Sequence, residues 1–415
     1  MTSPLQRPRR KNPILRTRLP TRPPGARSRV ALGMTAAAAR GEFQLQVCAD
    51  CKAVQYPPRE ACHVCLSEKL RWSPQDGAGE LISETMLHLS YELFFRERTP
   101  WRLGMVRLDS GPIVIAHLHR DCPPALTRVK VSACLDKAGQ AALFAVSEKE
   151  TPNMADDPQL REMTCDPRFR KVFVTDGKTA VGQAIVRSLA AAGADLIWVG
   201  HAEPWKKYPG LEELKQLPQV TLLPFDLTNG RSVKEICAEI GGRVDIVINN
   251  AEHHRTFGIQ SRRGIEEARA EMDVNYFGLL RLAQELAPAM RARAADGQSS
   301  AVAWVNLLSI FALSNFPPHG TYSASKAAAH SLAQCLRAEM QPAGLRVINV
   351  YPGPIEDEWN QMLLPPKLTP QAVANAIVRA LQGGVEDVYP GDVAQDWLAR
   401  WRDNPKALER EVAAG

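Results

Sequence analysis

At Lys171 the hydrophobic rhythm of the chain changes, and that change constrains the fold more than any other feature. From there six apolar runs, KVFVT, DLIWVG, VTLLPF, VDIVIN, SAVAWVNLLS and GLRVINVYP, alternate with helical stretches such as VGQAIVRSLAAAG and GLLRLAQELAPAMRARA. Near-continuous apolar strands separated by helices predict an α/β doubly wound parallel sheet, helices covering both faces. Upstream the rhythm differs. GELISETMLHLS, WRLGMVRLDSGPIVIAHLHR, LTRVKVSACLDK and AALFAVSEK alternate with period two and are parted by Gly, Pro and Asp turns. That pattern predicts a small antiparallel β-barrel. A chain of 415 residues exceeds one compact core, so two or three domains are expected.

Between the two regions, residues 149–170 are polar, rich in Pro and without a period, and are expected to be an interdomain linker. Residues 1–39 form a Pro/Arg-rich arm. Nine Lys or Arg and no acid fall within residues 1–30, more than the whole net charge of +6. The basic character therefore belongs to the arm, and the mildly acidic remainder is not a nucleic-acid-binding body. The arm has the Arg content of a transit peptide, but six prolines oppose the amphipathic helix such a peptide needs. A flexible or polyproline arm is the expectation, compatible with docking on a partner protein. No apolar run approaches the roughly 18 residues of a membrane span. Without a secretory signal, a reducing cytoplasm is the expected compartment.

CADCKAVQYPPREACHVC has the spacing Cys-x2-Cys-x10-Cys-x2-Cys. Each pair forms a knuckle that aims two thiolates at one point, and two knuckles supply the tetrahedron that zinc prefers. Cys48, Cys51, Cys62 and Cys65 fill all four positions, so the zinc is expected to be structural. The alternative is disulfides or stray thiols, against which compartment and spacing both argue. His63, inside the second knuckle, is surplus to this set. The ribbon at about 40–70 and the barrel at 71–148 resemble the zinc-ribbon/OB-fold proteins that associate with acyl-CoA enzymes. GEFQLQVCADC, QYPPREACHVC, GAGELISETMLH and MVRLDSGPIVIAHL carry the likeness. The resemblance implies a thiolase-like or hydratase partner. The barrel lacks a basic and aromatic stacking set, so single-stranded nucleic acid is not an expected ligand.

In the second region, TYSASKAAAH places Tyr322 and Lys326 one helical turn apart on one face. A nearby ammonium lowers a phenol's pKa and fits it for proton transfer. Ser309 ends the run WVNLLS, where its hydroxyl can hold a substrate oxygen beside Tyr322. Asn275, in DVNYFG, is expected in a helix. In this order, with NNA at Asn249–Ala251 and YPGP at Tyr351–Pro354, these residues resemble the short-chain dehydrogenase/reductase family over about 171–410. The resemblance implies a Rossmann domain, residues 171–415, using NAD or NADP. It makes Tyr322 the general acid/base, Lys326 the ribose ligand that tunes it, Ser309 the orienting hydroxyl, and Asn275 the anchor of a water that relays protons from Lys326. It places Thr175, Gly177, Gly182, Asp226, Asn249, Ala251, Pro352 and Gly353 with Tyr322 and Lys326 around the cofactor. Homo-oligomers through SASKAAAHSLAQCLRAEM are also implied, and IEDEWNQMLLPPK would cover the substrate.

The chain departs from the family at the phosphate loop. Where the family has Thr-Gly-x-x-x-Gly-x-Gly, VTDGKTAVG puts Asp176 and Ala180 at two glycine positions and keeps Gly182. Asp176 sets a carboxylate beside an expected diphosphate, with Lys178 near enough in sequence to neutralise it and Gly177 able to take the turn. Glu252 follows NNA in place of glycine, and Asp357 stands where threonine often meets the nicotinamide. Gly200 and His201 replace the acid that binds the ribose diol in NAD users, and His201, Lys206 and Lys207 are the nearest candidates for an NADP phosphate. Fusion of the two resemblances points to a 3-hydroxyacyl-CoA/3-oxoacyl-CoA oxidoreductase that docks a thiolase. The other reading is a non-catalytic scaffold with a degenerate cofactor site.

Overall fold

A computed structural model describes residues 22–149, 153–261 and 263–414. The ribbon is a three-stranded antiparallel sheet of β1 (Gln44–Cys48), β2 (Val54–Gln55) and β3 (Leu70–Pro74), in the order β2-β1-β3. Lys52 and Leu66, each just after the second cysteine of its knuckle, take left-handed φ values of 64° and 61°. Residues 1–21 of the arm lie outside the described residues. The rest of the arm is not loose. After an extended stretch, α1 (Leu32–Ala38) buries Met34, Ala37 and Ala38, which recur at helical spacing, against the ribbon and barrel. Gly33 permits the contact, since a Cβ there would lie 2.1 Å from the Trp72 ring of β3.

The barrel closes as β4 (Ala78–Leu87), β5 (Trp101–Leu108), β6 (Ile113–Leu118), β8 (Ala141–Ser147) and β7 (Thr127–Leu135), with only the β6–β8 pair parallel. Its core holds Leu81, Val106, Leu118, Val129 and Leu143. A turn of helix, α2 (Leu93–Arg96), lays Phe94 and Phe95 on Trp101.

The segment expected as the interdomain linker is packed from residue 153 onward. Asp157 caps α3 (Pro158–Met163) by accepting from the backbone N–H groups of Gln159 and Leu160. Leu160, Met163, Cys165 and Arg170 are buried. Its polarity hides this role because its polar groups are used internally: Arg170 donates to the Ser300 and Arg161 carbonyls, and Arg98 pairs with Glu162 at 2.5 Å. The β7–β8 turn adds further ties between the halves. Lys137 Nζ donates to Ser300 Oγ at 3.0 Å, and Arg346 donates to the Leu135 carbonyl at 2.6 Å.

The second domain is a parallel sheet in the order β11-β10-β9-β12-β13-β14-β15. The strands are β9 (Lys171–Val174), β10 (Leu196–His201), β11 (Val220–Pro224), β12 (Ile246–Asn249), β13 (Ala303–Leu307), β14 (Arg346–Val350) and β15 (Asp387–Val388). The first six correspond to the six apolar runs. β15 is two residues long and too short to leave a pattern. Alternate residues of one strand enter opposite cores. Phe173, Trp198 and Trp304 pack with α6 (Gly230–Ile240), α8 (Leu279–Arg293) and α9 (Gly320–Met340). Val172, Val174 and Val199 pack with α4 (Ala180–Ala191) and α10 (Pro370–Gly383). Short α5 (Leu211–Gln216) follows β10, and α7 (Glu266–Met272) runs into α8 through one π-helical turn, Asp273–Gly278. Asn275 lies in that turn rather than in an α-helix. The chain ends on α11 (Gly391–Asp403) and α12 (Pro405–Ala414). Among the described residues no helix is long and apolar enough to cross a membrane.

Candidate active site and metal centre

The strand order reverses between β9 and β12, and the crevice outside their carboxyl ends is where open α/β sheets bind ligands. Thr175 braces it. Its hydroxyl oxygen accepts from the Asn250 and Ala251 N–H groups, both at 3.0 Å. Asn250 completes the brace, donating through Nδ2 to the Asp176 carbonyl at 2.7 Å. Sequence reasoning selected Asn249 and passed over Asn250. The strand alternation decides between them, because Asn249 turns into the sheet face and joins a row with Asn306 and Asn349.

Three glycines shape the loop. A Cβ on Gly177 would lie 2.2 Å from Val199 Cγ1, one on Gly182 2.0 Å from the Asp176 carbonyl oxygen, and one on Gly200 2.3 Å from the Thr175 carbonyl oxygen. The Gly200 position therefore has no room for an acid. Gly182→Ala is expected to cost about 1–3 kcal/mol by overpacking against backbone, read as a fall in Tm. The cradle framework thus fits a dinucleotide, with the N-terminus of α4 facing the crevice. Thr179 caps that helix, accepting from the Gly182 N–H at 3.1 Å.

Two carboxylates stand inside the framework. Asp176 accepts from the Lys178 N–H at 3.1 Å and the Thr179 N–H at 3.2 Å. Burial pushes its carboxyl up, against the pull of these donors. Lys178 does not pair with it; its ammonium binds Glu203 at 3.0 Å. Lys206 is also held by Glu203, and His201 is buried against Tyr208. Neither stands as a ready phosphate ligand.

The second carboxylate is Glu252. One oxygen, Oε2, receives Lys326 Nζ at 2.9 Å and the Tyr322 hydroxyl at 3.1 Å. Lys326 also donates to the Leu307 carbonyl at 3.0 Å. Burial alone would raise the Glu252 carboxyl, but Lys326 and the two hydrogen bonds outweigh it and hold it below the usual range. Tyr322 moves the other way, raised well above an ordinary phenol by burial and then by the Glu252 charge, with the Ser309 hydroxyl opposing. The expectation that the Lys326 ammonium lowers the phenol is corrected: burial first, and the Glu252 carboxylate second, raise it instead.

Ser309 and Tyr322 converge with Glu252, His254, Pro352, Gly353 and Asp357 around a cavity of about 10 Å³, room for one water at most. Asn275 is not bonded to Lys326. Both its Nδ2 hydrogens are spent, on the His253 carbonyl at 2.9 Å and Ser325 Oγ at 2.8 Å, and Oδ1 accepts from the His253 N–H. It fixes the strand-end loop in place. Asp226 is turned into its own β-turn, accepting from the Thr228 N–H and hydroxyl. Asp357 likewise caps Trp359 and Asn360, and burial pushes it to about 6.

Two histidines escaped sequence reasoning. His254 stacks on the Tyr322 ring with centroids 3.7 Å apart, and its Nε2 lies 3.0 Å from His319 Nδ1. His254 closes the run NNAEHH, while His319 stands in PPHG, 65 positions away. Burial lowers His254 from 6.5 to about 3 and His319 to about 4. Both are neutral in the fold, whereas the unfolded chain binds protons below pH 6.5, so stability falls with pH between about 6.5 and 4. At pH 5 each histidine is expected to cost about 2 kcal/mol. Urea unfolding at pH 7 and pH 5 checks this, and His254→Phe should flatten the difference.

In the ribbon, the four sulfurs of Cys48, Cys51, Cys62 and Cys65 lie within 4.8 Å of one another. Cys48 and Cys65 Sγ are 3.6 Å apart, and Cys51 and Cys62 Sγ 3.5 Å. Four convergent sulfurs fit one tetrahedral zinc with no open position.

A nucleotide crevice at a switch point, with a Ser, a Tyr and a Lys at its floor, defines a dinucleotide-dependent oxidoreductase fold. Residues 170–366 match the family described as short chain dehydrogenase. A fatty acyl-CoA reductase of Acinetobacter baylyi is 30% identical over 231 residues, which is 50% of this chain and 72% of the reductase. A short-chain dehydrogenase from Burkholderia cenocepacia, solved in complex with NADP, is 31% identical, with a TM-score of 0.53 over 60% of this chain and 98% of that one. The chain belongs to the short-chain dehydrogenase family of NAD(P)-dependent oxidoreductases. Its N-terminal region is of a second kind: residues 35–71 match the ChsH2 rubredoxin-like zinc ribbon domain and residues 72–133 the ChsH2 C-terminal OB-fold domain.

Proposed function

We propose that this chain interconverts a 3-hydroxyacyl-CoA and its 3-oxoacyl-CoA, and that its arm, ribbon and barrel dock a thiolase-like or hydratase partner. The convergence of Ser309, Tyr322 and Lys326 at the switch point carries the catalytic half of this reading. Tyr322 takes the proton of the substrate hydroxyl, and Ser309 holds the developing carbonyl oxygen. Lys326 supplies the positive charge beside the phenol once Glu252 has left it. NAD or NADP, when bound, would supply the hydride acceptor in this direction and the hydride donor in the other. Thr175, Gly177, Gly182, Ala251, Pro352 and Gly353 are assigned to its cradle, while Asp226 and Asn249 act there only through the turn and the strand they brace. The acyl-CoA name of the Acinetobacter relative supports a thioester substrate, and the ChsH2-type domains support a docking role. Pairing through α9 would give a homo-oligomer, measured by light scattering.

The test is substrate choice. Purified protein should oxidise 3-hydroxyacyl-CoA thioesters faster than secondary alcohols without CoA. Oxidation of simple alcohols but of no CoA thioester would remove the substrate half. A second reading, a non-catalytic scaffold for the same partner, is favoured by one observation: Glu252 ties up both Lys326 and Tyr322. In that case no dinucleotide would support turnover, and the protein would still co-purify with its partner.

A further inference from the structure

The two strands that flank the switch point, β9 and β12, are each followed by a carboxylate close to their carboxyl ends. Asp176 follows β9 and takes two N–H groups of the phosphate loop. Glu252 follows β12 and takes the two strongest side-chain donors on the floor, the Lys326 ammonium and the Tyr322 hydroxyl, through a single oxygen. Its side chain is only 13% exposed. With His254 stacked on Tyr322, the floor has a free volume of about 10 Å³. A dinucleotide brings a dianionic diphosphate and sugar hydroxyls. The donors it would use are already satisfied by the chain.

We propose that Glu252 is a built-in occupant of the dinucleotide site, which a nicotinamide dinucleotide must displace from Lys326 and Tyr322 before it binds. The proposal rests on reading the crevice as a dinucleotide site and not on the substrate or the partner. Two features make the displacement feasible. The displacement needs only the Glu252 side chain to turn, because the backbone on either side of it is held by Thr175 and Asn275. Lys326 keeps its bond to the Leu307 carbonyl and stays in place when the carboxylate leaves. The sugar hydroxyls of the ligand can accept from the same two donors. Asp176 adds to the barrier as a second anion beside the diphosphate, but its oxygens are held by backbone that stays put.

The consequence is a reduced apparent affinity, since the binding-competent state is a minor fraction of the molecules. Titration calorimetry with NADPH and with NADH, on the full-length protein with zinc present, reads it directly. Glu252→Gly should tighten binding of at least one dinucleotide by about 10-fold or more over wild type. Glu252→Gln keeps the shape and loses the charge, and should fall between the two. Unfolding curves establish that each variant is folded; if the glycine variant is not, the glutamine variant decides by binding more tightly than wild type. Equal or weaker binding by the folded variants overturns the proposal, and so does undetectable binding by all three proteins at millimolar dinucleotide. No acyl-CoA enters the titration, so failure of the substrate assignment leaves this result untouched.

Discussion

Tyr322→Phe is expected to lower kcat by about 10²–10⁴-fold while leaving the unfolding midpoint close to wild type. The ring sits between His254 and the α9 core and keeps its packing when the hydroxyl is removed. The hydroxyl itself touches only groups of the site, Glu252 at 3.1 Å and Ser309. Its loss therefore removes the proton carrier without opening a cavity. Dinucleotide affinity should change far less than kcat, because Lys326 remains. A steady-state assay beside a thermal melt separates these effects. If the chain is a scaffold, the same substitution changes neither turnover nor capture of a partner.

Zinc removal is the second large effect. The ribbon has three short strands, and its four cysteines converge from two knuckles on one point. Structural zinc in such sites contributes about 10–16 kcal/mol of apparent binding energy at neutral pH, far beyond what so small a sheet gains from its own core. Chelation, or Cys48→Ser, is expected to unfold residues 40–70 and expose them to protease. Trp72, packed on Gly33 of α1, should lose its environment at the same time. The doubly wound sheet, with its own two cores, should persist. Metal analysis with limited proteolysis checks both halves, and a metal-free ribbon that resists protease would contradict the zinc assignment.

What could be read from the sequence follows from what each signal depends on. Apolar strands, the cysteine spacing and the Tyr-x-x-x-Lys turn are local patterns, and each has its counterpart in the fold. The packing of the linker and the helix at the end of the arm left no trace in the sequence because their order is tertiary. Arg170, Arg98 and Lys137 look like surface charges until the barrel and sheet pack around them. Glu252 was visible only as a departure after NNA. Its grip on Lys326 joins residues 74 positions apart in sequence, and no pattern within β12 or α9 announces it. Asn249 and Asn250 show the finest limit, since a single step along a strand decides which side chain meets the crevice.

The most direct measurement is product analysis. The protein, with zinc, is incubated with a 3-hydroxyacyl-CoA and millimolar NAD or NADP, and the thioester is identified by mass spectrometry. The account predicts the 3-oxoacyl-CoA, two hydrogens lighter, formed by wild type and not by Tyr322→Phe. Recovery of unchanged thioester from both proteins, across acyl lengths and both dinucleotides, would contradict it.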